Sequence, residues 1–114
     1  MVLDQGEKLH IVIRREFADD LRRHFIGRVE RVTEELARVK GYIYVYDTAT
    51  TQFLKRPNVR VQIFSLSDRG NMITLLPPDT VMENIEYKTD ANRRLTLTDG
   101  ENFTIDINEF GARY

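Results

Sequence analysis

Residues 36–47 read Leu-Ala-Arg-Val-Lys-Gly-Tyr-Ile-Tyr-Val-Tyr-Asp, and this stretch alternates between two kinds of side chain. Successive side chains of a β-strand point to opposite faces of its sheet. One face would carry the small and apolar members of the stretch, and the other would carry the basic and tyrosine side chains. The alternation therefore predicts a long strand over residues 36–46, with Tyr42, Tyr44 and Tyr46 in a row on its second face.

The residues before this strand allow two readings. Phe17, Leu21 and Phe25 are spaced four apart, which is typical of one face of an amphipathic helix. Because apolar residues continue at similar spacing, a single helix over residues 16–39 is one reading.

The other reading is a short helix over residues 16–24, followed by a hairpin. Its strands would be residues 25–32 and 36–46, joined by a turn at 33–35. Gly27 favours the hairpin, since glycine in a helix interior costs about 1 kcal/mol relative to alanine. The β-branched residues between 26 and 39 favour it as well, because their side chains are restricted in a helix.

The rest of the chain is divided into short strands by frequent turns. Residues 9–13, 59–63 and 103–107 show short alternating or apolar patterns. Pro77 and Pro78 end a preceding strand, because proline cannot donate a ladder hydrogen bond, and Asp99-Gly100 is a hairpin signal. Many short strands, one short helix and regular turns predict a mainly β fold: a small antiparallel barrel with an added C-terminal hairpin.

Composition narrows the class of function. The 114 residues contain no Cys and have a formal net charge of −1, which argues against binding nucleic acid through bulk positive charge. The charge is divided unevenly, since residues 1–60 hold 12 basic and 9 acidic side chains whereas residues 61–114 hold 5 and 9. Any basic surface is therefore expected in the N-terminal half.

No targeting or membrane-spanning pattern is evident in the sequence. The first residues lack a basic segment followed by an apolar run, and the apolar stretches are far shorter than the roughly 20 residues that span a bilayer. A cytoplasmic protein with no membrane partner is therefore expected.

Candidate catalytic groups are few and scattered. His10 and His24 match no metal-ligand spacing; one is expected to cap or pack against the helix, and the other to lie on a half-exposed strand. Adjacent acidic pairs such as Asp19-Asp20 point apart, and no glycine-rich phosphate loop is present. The sequence predicts a non-enzymatic protein with no cofactor and no metal.

Two features are candidate binding sites. The row Tyr42, Tyr44 and Tyr46 could stack on bases or on a neighbouring subunit, although packing within the fold is the more common role of such a row. The turn at Arg69-Gly70 could hold an arginine beside a flexible backbone, where its guanidinium can contact a phosphate.

Taken together, these segments resemble the Sm-like family. Val39, Gly41 and Asp47 follow the spacing of its first motif, in which an apolar residue precedes a glycine by two and an aspartate follows it by six. The turn at Arg69-Gly70 and the prolines at 77 and 78 resemble the end of its second motif. The resemblance spans about residues 16–78.

The resemblance implies a strongly bent five-stranded Sm/SH3-like barrel over residues 16–78, with 16–24 as its N-terminal helix; this also favours the hairpin reading. Residues 1–15 would be an N-terminal strand or extension, and 79–114 a C-terminal β extension packed on the same domain. Subunits would join strand to strand into a cyclic homo-oligomer, and single-stranded RNA would bind at the inner rim. By position, the implied RNA-binding residues are Asp47, Gln52, Arg69, Gly70 and Asn71.

The chain departs from the family at the implied RNA pocket. Ala49 stands where the family usually has an aromatic residue or histidine, and Thr51 stands where it usually has asparagine. Asp68 places a negative charge beside Arg69, which would oppose a phosphate. These departures keep open an alternative function, a small barrel that serves as a protein-interaction or assembly module without binding nucleic acid.

Overall fold

The computed structural model describes residues 2–15, 17 and 19–107, and strands dominate this part of the chain. The chain divides into two units, Met1–Leu76 and Pro77–Tyr114. The strands of the first unit are β1 (Lys8–Ile13), β2 (Arg23–Val32), β3 (Leu36–Asp47), β4 (Gln52–Lys55), β5 (Arg60–Ser65) and β6 (Asn71–Leu75). Those of the second are β7 (Glu86–Thr89), β8 (Leu95–Thr98) and β9 (Thr104–Asp106), preceded by a 3-10 turn at Met82–Asn84.

The first unit is one antiparallel sheet built around β3. β2 pairs with one side of β3, β1 pairs with β2, and β6 pairs with β1. The other side of β3 is shared, because β4 pairs with its last residues and β5 pairs with its first. The resulting sheet has six strands, and every pairing in it is antiparallel.

The prediction of a mainly β, antiparallel fold is confirmed, but the prediction of a closed five-stranded barrel is wrong. Within the described residues β6 pairs with β1 and β5 pairs with β3, and the two strands do not pair with each other. A barrel closes only when its first and last strands share a ladder. The sheet therefore stays open, with β6 at one edge and β4 and β5 at the other.

The predicted N-terminal helix over residues 16–24 is also wrong. Among the described residues of this segment the chain makes a local turn, in which the Asp20 N–H donates to the Phe17 carbonyl, and β2 has already begun at Arg23. Phe17 and Leu21 are 66% and 59% exposed, whereas Phe25 is fully buried. The apolar residues spaced four apart therefore share no buried face. Glu16 and Ala18 lie outside the described residues.

The hairpin reading of residues 25–46 is confirmed, and the single long helix is wrong. β2 and β3 are joined at Thr33, whose backbone N–H donates to the Leu36 carbonyl and whose Oγ1 accepts the Leu36 N–H at 3.1 Å. The register shifts between Val29 and Arg31, which marks a β-bulge. Such a bulge bends and twists the strand that carries it.

Gly27 and Gly41 face each other at the centre of this hairpin. A Cβ atom at Gly41 would overlap the carbonyl oxygen of Ile26, and one at Gly27 would overlap that of Lys40. The two backbones approach so closely at this pair that neither position has room for a side chain. The glycine that carries the Sm-like resemblance is therefore required by the contact between two strands.

The core lies on one face of the sheet. Leu9 and Ile11 of β1 pack there with Phe25 of β2, and Phe64 of β5 lies with its ring centroid 5.3 Å from that of Phe25. The remaining buried members of this cluster are Leu3, Val29, Ala37 and Val39. Ala37 and Val39 lie on the face of β3 that the alternation predicts to be apolar, and both are in the core.

The second unit is a separate three-stranded sheet in the order β7-β8-β9. The predicted turn at Asp99-Gly100 lies between β8 and β9, and Gly100 has a φ of 84°. The Asp99 carboxylate accepts backbone N–H groups from Val81 at 2.9 Å and Asn102 at 2.7 Å. This buried side chain therefore connects the loop before β7 to the hairpin after β8.

The glycine pair gives a direct test of the fold. We expect Gly41→Ala to lower the free energy of unfolding by about 2 kcal/mol or more, because the added methyl group meets backbone atoms that cannot move independently. Urea denaturation followed by circular dichroism measures the change. Gly70→Ala is the matched control, since its Cβ would meet mainly the side chain of Asp68. Equal stabilities for the two variants would contradict the close approach of β2 and β3.

Candidate functional site

The two turns implied by the resemblance lie at the same end of the first sheet. Asn71 of β6 is opposite Ile13 of β1, Ile13 is opposite Arg23 of β2, and Arg23 is opposite Val45 of β3. The turn after β3 and the turn before β6 therefore extend from one end. β1 and β2 lie between them, so they are separated by up to about 14 Å measured across a flat sheet.

Asp47 forms the turn between β3 and β4. Its Oδ1 accepts the Ala49 N–H at 3.0 Å, and its Oδ2 accepts the Thr50 hydroxyl at 2.9 Å. Thr51 completes the turn with a φ of 55°, and Gln52 begins β4 directly opposite Asp47. The carboxylate of Asp47 therefore shapes its own turn, while Gln52 is exposed beside it.

The Arg69-Gly70 turn is held by an aspartate and by the residue that follows β1. Asp68 Oδ1 accepts the Gly70 N–H at 2.7 Å, and the Gly70 carbonyl accepts the Arg14 N–H at 2.8 Å. Arg69 itself is exposed. Asp68, whose negative charge lies beside Arg69 in the sequence, is thus also the residue whose side chain closes the turn.

The tyrosine row splits into buried and half-buried members. Tyr44 and Tyr46 are only 5% and 7% exposed, so they pack within the protein and present no ring for stacking. Burial raises the pKa of the Tyr44 hydroxyl to about 12, with a smaller contribution from Tyr42. Tyr42 is half-buried, and the Lys55 ammonium lies 4.0 Å from its ring centroid.

A buried histidine pair lies on the same side of the sheet as the tyrosines. His10 Nε2 and His24 Nδ1 are 3.0 Å apart, and both side chains are at most 2% exposed. The Phe53 ring stacks on His24 at 4.4 Å between centroids. The expectation of one histidine on a helix and one on a half-exposed strand is wrong, because both lie buried on strands. The two residues are 14 apart in sequence, and only the register of β1 and β2 brings them together.

Burial makes the histidine pair neutral at physiological pH. Desolvation lowers the pKa of His10 to about 4 and that of His24 to about 3, and a charge on His10 would lower the pKa of His24 further. One neutral ring donates to the other. Among the described residues no group of three or more His, Cys, Asp and Glu side chains is placed to hold a metal ion.

The register also assembles a cluster of cations, of which alternation along β3 placed only Arg38 and Lys40 on one face. Lys8 is opposite Arg28, Arg28 is opposite Lys40, and Arg31 is opposite Arg38 in the next row. Directly opposed side chains lie on the same face of a sheet. We call the surface formed by these five side chains the basic face; its members are Lys8, Arg28, Arg31, Arg38 and Lys40.

Apolar side chains of β5 border the basic face. Val61 is opposite Lys40 and Ile63 is opposite Arg38, and they are 50% and 65% exposed. Alternation along β3 predicts that Lys40 and Arg38 share a face with Tyr42, but the contributions of β1, β2 and β5 depend on register. The basic face and the Arg69 turn lie toward opposite ends of β1, since Lys8 begins that strand and Ile13 ends it.

Comparison with known proteins adds no family to these observations: no family model, curated protein or solved structure matches the chain. Among the described residues, no helix has the length and apolar character needed to cross a membrane.

The histidine pair predicts a specific acid sensitivity. The unfolded chain binds protons near pH 6.5, whereas the folded chain keeps both rings neutral until pH falls toward about 4 and about 3. Stability contributed by the neutral pair is therefore complete above pH 6.5 and is lost as pH falls below it. We expect unfolding free energy to fall by up to ~2 kcal/mol per pH unit near pH 5.5, above the range in which most carboxylates titrate.

The measurement is urea denaturation between pH 7 and 5.5 on the wild-type protein and on His10→Leu/His24→Phe. The double variant lacks both titrating rings, so its stability should change much less over this interval. Identical pH slopes for the two proteins would show that the pair does not stay neutral in the folded state.

Proposed function

We propose that the protein is a non-enzymatic, Sm-like module that assembles into a cyclic homo-oligomer by strand pairing and binds single-stranded RNA. The observation that carries this proposal is the open sheet of the first unit. Its edges at β5 and β6 have backbone groups available to another chain and exposed apolar side chains around them.

The two edges differ, and this difference favours a ring. β6 exposes Met72 and Leu75 at 67% and 49%, while β5 exposes Val61 and Ile63 at 50% and 65%. Pairing of the β5 edge of one copy with the β6 edge of the next is a heterologous contact, which repeats and can close into a ring. Each contact would pair backbone groups and remove apolar surface from water.

Single-stranded RNA is the proposed ligand at the end of the sheet that carries the two turns. Arg69 supplies an exposed guanidinium there, and Gly70, Asn71, Asp47 and Gln52 are the positions that the Sm-like resemblance implies. A planar guanidinium can bind phosphate and stack on a base. In a ring this end would recur once per subunit, so that several arginines could contact one strand.

A second candidate function is an assembly module that binds no nucleic acid. It is favoured by the carboxylates of Asp47 and Asp68, which both lie at the end proposed to bind RNA and which both form part of the turns themselves. Their negative charge opposes phosphate binding. Ala49 and Thr51 also lack the side chains that the family uses to recognise a base.

If copies of the chain pair through their edge strands, lysines introduced at these edges should dissociate the oligomer. We expect the wild-type protein at micromolar concentration to scatter light as a multiple of its 13.4 kDa chain mass. Ile63→Lys/Met72→Lys should shift it to the monomer mass, because each contact would then bury two ammonium groups. Val2→Lys/Leu21→Lys is the matched control, since it adds the same charge at positions that are 96% and 59% exposed and lie outside both edges. A monomeric wild-type protein would rule out the ring.

RNA binding at the Arg69 turn predicts opposite effects for two neighbouring residues. Arg69→Ala should weaken binding to a fluorescein-labelled oligo-U at least about fivefold, because one charge-assisted hydrogen bond to phosphate is lost. Asp68→Asn should strengthen binding, since it removes the opposing charge and keeps an oxygen that accepts the Gly70 N–H. Fluorescence anisotropy at low salt measures both, and failure of the wild-type protein to bind would leave the assembly module.

A further inference from the structure

We propose that the basic face binds the phosphodiester backbone of a single-stranded nucleic acid, with the unstacked bases lying over the apolar side chains of β5. This site is separate from the Arg69 turn. It needs no ring, because all of its residues belong to one chain. Since the proposed ring contact would cover Val61 and Ile63, the bases would lie on these side chains in the monomer.

The first argument is the arrangement of charge. Lys8, Arg28 and Lys40 occupy three neighbouring strands in one cross-strand row, although opposed like charges destabilise a sheet. Arg38 has a counterion in Glu30, whose Oε1 lies 3.3 Å from Arg38 Nε. Within the part of the chain that the structure describes, Arg28, Arg31 and Lys40 make no salt bridge. Arg28 and Lys40 are directly opposed and both exposed, and this repulsive pair is more readily explained by an anionic ligand than by stability.

The second argument is spacing. Neighbouring strands lie about 5 Å apart, so the row from Lys8 to Lys40 spans about 10 Å. Arg31 and Arg38 form a second row beside it along the strands. Two rows of cations on one surface can contact about three consecutive phosphates. Each contact would release counterions, so binding would depend steeply on salt.

The third argument is the apolar margin, which favours a single strand over a duplex. Val61 and Ile63 are opposite Lys40 and Arg38 and are at least half exposed, so apolar surface adjoins the charges directly. A single strand presents base faces that can lie on such a surface, whereas a duplex keeps its bases stacked inside. An acidic peptide would satisfy the charges but offers no regular set of flat apolar groups.

The basic face can be tested apart from the turn. Lys8 and Ile13 are the first and last residues of β1, so the two proposed sites are about 17 Å apart along that strand. The variant Arg28→Gln/Arg31→Gln/Lys40→Gln removes three charges from the basic face. The matched control Arg56→Gln/Lys88→Gln/Arg93→Gln changes net charge equally, at exposed positions outside it.

The experiment uses the full chain and labelled 12-nucleotide oligo-U and oligo-dT, with binding followed by fluorescence anisotropy over a range of salt concentrations. We expect the basic-face variant to bind at least tenfold more weakly than wild type and the control to change less than about twofold. The slope of log affinity against log salt should become shallower by about 2 in the basic-face variant, because about three phosphate contacts are lost.

Folding is checked separately by thermal unfolding. The basic-face variant should be at least as stable as wild type, since it removes opposed like charges. Weak binding by a folded variant therefore reports on the site itself. Wild-type affinity in that variant would overturn the proposal, as would tighter binding of wild type to poly-glutamate or to vesicles containing phosphatidylserine than to either oligonucleotide.

The outcome is distinguishable from that of the proposed function. Loss of binding in Arg69→Ala together with wild-type binding in the basic-face variant would overturn the basic face and support the turn. Loss of binding in the basic-face variant with retained binding in Arg69→Ala would support the basic face. Light scattering reports on the ring independently of either result.

Discussion

The close contact between Gly27 and Gly41 is the constraint on which the first unit depends. It lies at the centre of the β2–β3 hairpin, where side chains larger than hydrogen would overlap backbone carbonyls of the facing strand. Because β3 pairs with β2 on one side and with β4 and β5 on the other, any displacement at this point would move four strands. The glycine pair therefore constrains the register of the β2–β3 hairpin, around which the other strands of the first unit are arranged.

That register gives the sheet two different faces. One carries the core, in which Phe25 packs on Phe64. The opposite face is divided along the strands into a buried part and an exposed part. The buried part contains the histidine pair, with Tyr44 and Phe53, and the exposed part contains Arg28, Arg31 and Lys40. The buried packing residues and the residues proposed to bind an anionic ligand thus lie in different regions of one surface, so substitutions in each can be interpreted separately.

The parts that sequence predicts well are those governed by local chemistry. Alternation over residues 36–46 was sufficient for β3, and Asp99-Gly100 was sufficient for a hairpin turn with positive φ. The prediction of a helix over 16–24 was wrong because spacing by four shows only that the side chains would share one face if the segment were helical. Burial decides whether that face exists, and Phe17 and Leu21 are exposed. The prediction of a barrel was wrong for a related reason, because a barrel closes only if two strands at opposite edges of the sheet pair with each other.

By itself the sequence determined the mainly β class, the long central strand and the turns at Asp47, Gly70 and Asp99; it favoured the hairpin of residues 25–46 but left the single long helix open. These follow from side-chain alternation and from the conformations that glycine, aspartate and asparagine favour, which act over a few residues. Only the tertiary structure decided that the sheet is open, that His10 meets His24, that Tyr44 and Tyr46 are buried, and that Lys8, Arg28 and Lys40 form one row. Each of these depends on pairing between strands far apart in the chain, where the register is set by the packing of the whole sheet.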